Sequence, residues 1–262
     1  MADDLALLGP VLPVIAGLLG LVVGSFLNVC TLRWPRDESV VRPPSRCPGC
    51  GSGIAWYDNI PVISWILLRG KCRKCGERIS IQYPLVELAT GLLWAGMAWR
   101  HGAELEALRG AVFGTILLGI AVADARFYLI PDEFTLGGLA IGVLFSLAGG
   151  LPSLGQAVLG AGVGFGLLWV VGVLGTLAFK EEAMGGGDIK MMAMVGAFVG
   201  WSGVLLTIFL GALLGSLIFV PLALAGRKKL VPFGVFLALG AAAAYAAGPS
   251  LVSWYRDTFL FG

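Results

Sequence analysis

The chain has 262 residues, 58% of them hydrophobic and 13% charged, with a mean hydropathy of +0.89 and a net charge of +2. A soluble domain carries about 25% charge, so this composition is that of a protein crossing a membrane several times. The single histidine, His101, excludes a His-Glu-x-x-His zinc protease and leaves a serine–histidine pair only that one residue.

Apolar runs are measured against the roughly 20 residues that cross a bilayer. The chain opens Met-Ala-Asp-Asp, acidic and without a basic n-region, so the first run, 8–31, is read as a retained span and not a signal peptide. A polar segment, 32–82, follows. Further spans are expected near 84–100, 108–126, 133–150 and 154–179. After a polar break at 180–190, the stretch 189–225 is too long for one crossing and is read as two, turning near 200–203. A last span covers 231–248. The expected fold is an all-α polytopic membrane protein of about eight transmembrane helices. It is organised as a first span (1–31), an insert (32–82) and a membrane core (83–262). With the insert in the cytoplasm, all of the 18 Lys and Arg residues except Arg100, Arg109 and Arg256 fall on the cytoplasmic side. His101 falls on the far side as a loop residue. Most of the 40 glycines are expected to let helices pack closely, Gly160, Gly162, Gly164 and Gly166 among them.

The insert carries Cys47-Pro-Gly-Cys50 and Cys72-Arg-Lys-Cys75, each followed by glycine. Two such pairs at this separation are the pattern of a zinc ribbon, in which each pair offers two thiolates to one tetrahedral ion. A disulfide or a redox motif is the alternative, and a cytoplasmic position disfavours structural disulfides. Four thiolates leave no open position, so the metal would be structural. Cys30 reads as a buried thiol. Between the pairs, Trp56, Tyr57 and Trp65 are expected to form a small core for the insert together with an interfacial anchor, with nearby cations able to meet anionic lipid. Glu87 lies just inside the next apolar helix. It is either a functional acid or a carboxylate paired with one of the insert's arginines. Asn28, at membrane depth in the first span, either bonds across helices or lines a site.

Two aspartates stand out. An aspartate at the centre of a membrane helix costs roughly 2.5–3.5 kcal/mol on insertion scales. Asp124 ends a span in Ala-Asp-Ala-Arg. Asp188 follows Gly185-Gly186-Gly187 and is expected to N-cap the next helix, the glycines allowing close backbone approach. Asp132 and Glu133 read as solvated helix-start charges. Lys190 either positions the cleft or anchors its helix at the interface. Two close carboxylates share a proton and can perform acid–base chemistry on water and a peptide carbonyl. The helix-end dipoles would make Asp188 the base and Asp124 the acid. Buried aspartates also serve proton transport. On the residues alone, an aspartyl protease and a proton-coupled transporter with a zinc-bearing cytoplasmic gate both stand. A non-enzymatic scaffold leaves the aspartates unexplained. Many transporters carry internal repeats, and none is evident here.

Gly24-Ser25-Phe26-Leu27-Asn28-Val29, the paired cysteines, Asp124 with Ile130-Pro131-Asp132, Met184-Gly-Gly-Gly-Asp188-Ile-Lys190 and Pro232-Phe233-Gly234 occur in one order. Taken together, this set resembles the bacterial type IV prepilin peptidases over about residues 12–245. The Gly-x-Gly-Asp element alone is shared with other intramembrane aspartyl proteases such as presenilins. The resemblance implies an aspartyl endopeptidase of the bacterial inner membrane, with prepilins and pseudopilins of type II secretion as its substrates. It would remove their basic leader after a glycine at the cytoplasmic face. Asp124 and Asp188 match the catalytic pair, with Gly185, Gly187, Lys190 and Asn28 in support. Members with the cysteine insert also methylate the new N-terminus from S-adenosylmethionine, and Glu87 matches an acid tied to that step. Membrane lipid is the other expected partner, and nucleic acid is not. No Gly-x-Gly-x-x-Gly element is present, so a Rossmann-type donor pocket is not expected.

Overall fold

The computed structural model describes residues 9–149, 152–224 and 232–259. Among these the structure is helical. Extended pairing among the described residues is limited to two isolated bridges, Arg46 with Gly53 and Lys71 with Arg78. The chain divides into two compact units, Met1–Gly119 and Ile120–Gly262.

The first unit holds α1 (Leu12–Arg33), the short helix α2 (Ile63–Leu67), α3 (Gln82–His101) and residues 105–119 of α4 (Leu105–Phe127). Pro13 opens α1, where the N–H it lacks would have no helical partner. Small residues decide how α1 meets α3. A Cβ on Gly20 would stand 2.8 Å from the Thr90 carbonyl oxygen, and one on Gly24 would stand 2.7 Å from the Glu87 Cα. The two backbones therefore touch where a side chain would hold them apart.

The second unit holds the end of α4 with α5 (Asp132–Leu147), α6 (Leu154–Phe179), α7 (Gly186–Leu224) and α8 (Phe233–Phe259). Its centre is the first half of α7, where Met191, Met192, Met194, Val195 and Phe198 are fully buried. α6 lays Gly160 against Gly196, and Gly164 against the Met192 carbonyl, so closely that a Cβ at either position would collide. Gly162 and Gly166, on the opposite side of the same helix, face open space. The expected packing role thus belongs to two of those four glycines.

α7 breaks at Gly200, whose φ of 71° and ψ of 178° suit glycine alone. The two halves run in opposite directions. Gly187 and Gly234 both pack on Ile130, and going along α8 from there Phe236, Leu237 and Gly240 meet Gly215, Gly211 and Thr207 in turn. The second half of α7 therefore returns toward the end from which the first half left, as the expected turn near 200–203 requires.

Among the described residues, four helices are long and apolar enough to cross a membrane by length and composition, those starting at Leu12, Leu105, Leu154 and Gly186. The stretch Phe233–Gly248 is a shorter apolar helix. The expected eight crossings are reached only if α3, α5, α8 and both halves of α7 cross as well. The basic run Arg227-Lys228-Lys229 and the side chain of Arg256, used above to orient the chain, lie outside the described residues.

Candidate active site and metal centre

In the second unit the sequence brings three segments to one point. Asp124 lies in the last turn of α4 and is 5% exposed. Its Oδ2 accepts the Val235 N–H at 3.1 Å, from the first turn of α8. A Cβ on Gly234 would stand 2.9 Å from that same oxygen, so glycine is what lets α8 come in. Asp188 lies in the first turn of α7, within Coulombic reach of Asp124. Its Oδ1 is buried, and among the described residues nothing hydrogen-bonds it. Ile130 packs against both Gly187 and Gly234 and so sets the spacing of the two helix starts. Lys190 Nζ grips both carboxylate oxygens of Asp132 at 2.7 and 2.8 Å, tying the start of α7 to the start of α5.

In the first unit the four cysteines form two knuckles of the same design. The Cys47 N–H bonds the Ser52 carbonyl, and the Gly51 N–H bonds the Cys47 carbonyl; Cys72 with Glu77, and Gly76 with Cys72, repeat the pattern. Gly51 and Gly76 close the turns at φ of 67° and 75°, the left-handed region where glycine carries no strain. All four sulfurs lie within 4.8 Å of one another, and the Cys47 and Cys75 sulfurs are 3.7 Å apart. Tetrahedral zinc–thiolate bonds of about 2.3 Å place sulfurs about 3.8 Å apart, so the cluster fits such an ion. The hydroxyl and amide of Ser52 hold the Cys50 thiol down at about 6. The amides of Cys75 and Lys74 lower Cys72. Cys75 accepts an amide bond from Glu77 that pulls it down. Desolvation and the three neighbouring cysteines outweigh that bond and push its thiol up to about 12. A divalent cation is what would allow all four to ionise together.

Glu87 is 7% exposed. Its Oε2 accepts the Val62 N–H at 2.8 Å, and the Ser25 hydroxyl lies near enough to favour its charge. Asn28, 1% exposed, donates to the Tyr83 carbonyl at 3.0 Å and the Gly24 carbonyl at 3.3 Å, tying α1 to the start of α3.

Profiles of two families match the chain. The Bacterial Peptidase A24 N-terminal domain covers residues 18–101, and the Type IV leader peptidase family covers 111–220. A relative from Neisseria gonorrhoeae is 35% identical over 97% of this chain and 98% of its own length. One from Pectobacterium carotovorum subsp. carotovorum is 41% identical over 86% of this chain and 89% of its own. One from Myxococcus xanthus (strain DK1622) is 40% identical over 83% of this chain, which spans 65% of that relative's length. Each is named prepilin leader peptidase/N-methyltransferase. The chain belongs to the type IV leader peptidase family. No solved structure matches it.

With the family established, the transporter reading has no support left. The structure brings Asp124, Asp188, Gly185 and Gly187 to one place, and a Cβ on Gly185 would lie 3.4 Å from Asp188 Oδ2. Asp188 is not an N-cap, because α7 already begins at Gly186. Glu87 is not paired with an arginine of the insert among the described residues; a backbone amide takes that place. Asp132 starts a helix and is exposed, as expected, and it also pairs with Lys190. Lys190 thus has an ion-pair partner at the start of α5. Sequence reasoning missed Ile130, Ser25 and the Val235 amide as parts of these sites. Ile130 and Gly234 belonged to ordered motifs and could have been flagged there. A backbone amide leaves no signal in residue type.

Proposed function

We propose that this chain is a membrane-embedded aspartyl endopeptidase that cleaves the basic leader from type IV prepilins and type II secretion pseudopilins. The cut follows a glycine at the cytoplasmic face of the bacterial inner membrane. Residues 83–262 carry the peptidase core, and 32–82 form the metal-bearing insert. One observation carries the reading. In an apolar unit, Asp124 is fixed by an amide of α8 while Asp188 beside it keeps a buried oxygen with no partner among the described residues. A buried polar atom left unbonded is costly, of order 1–3 kcal/mol, and such atoms mark places where a reactant completes the site. Between them the two acids hold one proton. One takes a proton from water as it adds to the scissile carbonyl, and the other gives one to the leaving amine. Gly185–Gly187 leave room for an extended substrate backbone beside Asp188.

The relatives' names attach an N-methyltransferase to the peptidase, and we assign the same second activity here. S-adenosylmethionine would supply the methyl group. Glu87, buried and held by the Val62 amide, suits the carboxylate that receives the amine's proton. Cys47, Cys50, Cys72 and Cys75 would hold a zinc ion, closed and structural, that shapes the insert. The test is cleavage of a prepilin by the purified protein in detergent, read by mass, beside Asp124→Ala and Asp188→Ala. Wild type should yield a leaderless pilin, part of it heavier by one methylene unit. Both variants should stay folded and cut nothing. Cleavage at the wild-type rate by either variant would refute the pair.

A further inference from the structure

Glu87 stands on α3, yet the backbone amide that holds it belongs to the insert. The Val62 N–H reaches Glu87 Oε2 at 2.8 Å from a residue at φ 62° and ψ −51°. The Ile63 N–H closes onto the Pro61 carbonyl at 2.6 Å, so Val62 is the centre of a three-residue turn. For a β-branched residue this is a sparsely populated conformation. It is strained and persists only where the surroundings enforce it.

The enforcing contacts can be followed residue by residue to the cysteines. Ser64, 6% exposed, accepts the Ile60 N–H at 3.1 Å and donates to the Tyr57 carbonyl at 2.9 Å. That fixes both arms of the loop holding Val62. Next to Tyr57, Asp58 receives the planar fork of Arg73, Nε at 2.9 Å and Nη2 at 2.6 Å. The same guanidinium lies 5.7 Å from the Tyr57 ring centroid. Arg73 stands between Cys72 and Cys75, inside the second knuckle.

We propose that Arg73, Asp58 and Ser64 are positioning residues for Glu87: they transmit the shape of the four-cysteine centre to the Val62 amide, which fixes the carboxylate used in methyl transfer. The insert then serves methylation without touching substrate. Its metal orders a knuckle, the knuckle aims Arg73, and the chain of bonds ends on the membrane carboxylate. The proposal rests on the reading of Glu87 given above.

The experiment uses the full-length, metal-loaded protein in detergent, with Asp58→Asn, Ser64→Ala, and the exchange Asp58→Arg with Arg73→Asp. Three quantities are read: methylation of pre-cleaved pilin against cleavage of prepilin, deuterium uptake of the peptide covering 60–64, and bound metal. Removing an outer partner of a functional group commonly costs 10–100-fold, so each single variant should methylate at least about tenfold more slowly while cleavage is unchanged. Uptake at 60–64 should rise in both. The charge exchange should restore methylation and protection together, which a merely structural loss would not allow. Should Asp58→Asn lose its metal, Ser64→Ala, outside the knuckles, decides the matter alone. An unchanged ratio of methylation to cleavage in Ser64→Ala overturns the proposal, as does faster exchange with no loss of methylation. Glu87→Gln is run beside them. If it methylates normally, the reading of Glu87 itself fails, and that result is distinct from failure of the network.

Discussion

Glu87 is buried in the first unit and Asp188 half-buried in the second, and the two are treated differently. Glu87 is bonded by the Val62 amide. Asp188 keeps a buried oxygen that nothing among the described residues bonds. A carboxylate supplied with donors by its own fold is held in one orientation. A carboxylate without donors is left for a reactant to satisfy. The difference separates an acid that is positioned from one that waits for water and a peptide, and it predicts separable activities. Asp188→Asn or Asp124→Asn should lower prepilin cleavage at least about 10³-fold, within the range set by loss of a general acid or base. Methylation of an already cleaved pilin should survive in both. Glu87→Gln should do the reverse. If Glu87→Gln also abolishes cleavage, the two units do not divide the chemistry.

Packing is where the units are alike, and it sharpens the contrast in their sites. α1 and α3 meet through Gly20 and Gly24; α6 and α7 meet through Gly160, Gly164 and Gly196. Gly164→Leu would drive a side chain into the Met192 carbonyl, whereas Gly162→Leu points into open space. Overpacking costs about 1–3 kcal/mol or more, and thermal unfolding in detergent should show that loss at Gly164 and almost none at Gly162. Gly20→Leu should behave like Gly164→Leu, in the other unit.

The Lys190–Asp132 clamp is exposed, and its effect is expected to be smaller. Exposed pairs contribute about 0–1 kcal/mol, so Lys190→Met should barely shift the melting temperature. Loosening the start of α7 should slow cleavage by less than about tenfold, equivalent to less than about 1.4 kcal/mol of barrier. A loss as large as that of Asp188→Asn would make Lys190 part of the chemistry.

What could be read from the sequence follows from what each feature is made of. Aspartates in an apolar background are rare residue types with a large cost, and paired cysteines have a spacing fixed by metal chemistry, so both stood out. The break in α7 was legible from length, since 189–225 exceeds one crossing, and Gly200 is the residue that tolerates it. The partner of Glu87 was not legible. Charge suggested an arginine, but Arg73 is committed to Asp58, and the bond to Glu87 comes from an amide exposed by the turn at Val62. Nor was the pairing of Lys190 with Asp132, whose 58-residue separation is closed only by the packing of α5 on α7. Asp188 was misplaced as an N-cap because Gly186 and Gly187, poor helix formers in isolation, are drawn into α7.

The weakest expected effect concerns acid and the insert. The Arg73 guanidinium, through its hydrogen bonds and its charge, holds the Asp58 carboxyl below the usual carboxylate range. A carboxyl lower in the folded than in the unfolded chain binds fewer protons when folded. The pair therefore stabilises the insert fully above the ordinary aspartate value of about 3.9, and that contribution is lost as pH falls through the lower folded value. Both groups reach solvent, so the effect should be small and weaken further with salt. Deuterium uptake of the peptide covering 60–64, measured in an acid series, should rise in the wild type at lower pH than the free carboxyl titrates. In Asp58→Asn it should already be raised at neutral pH and show less of that acid step. If wild type and variant share one acid profile, the pair does not hold the loop, and the contrast between a positioned Glu87 and an open Asp188 loses its support from the insert.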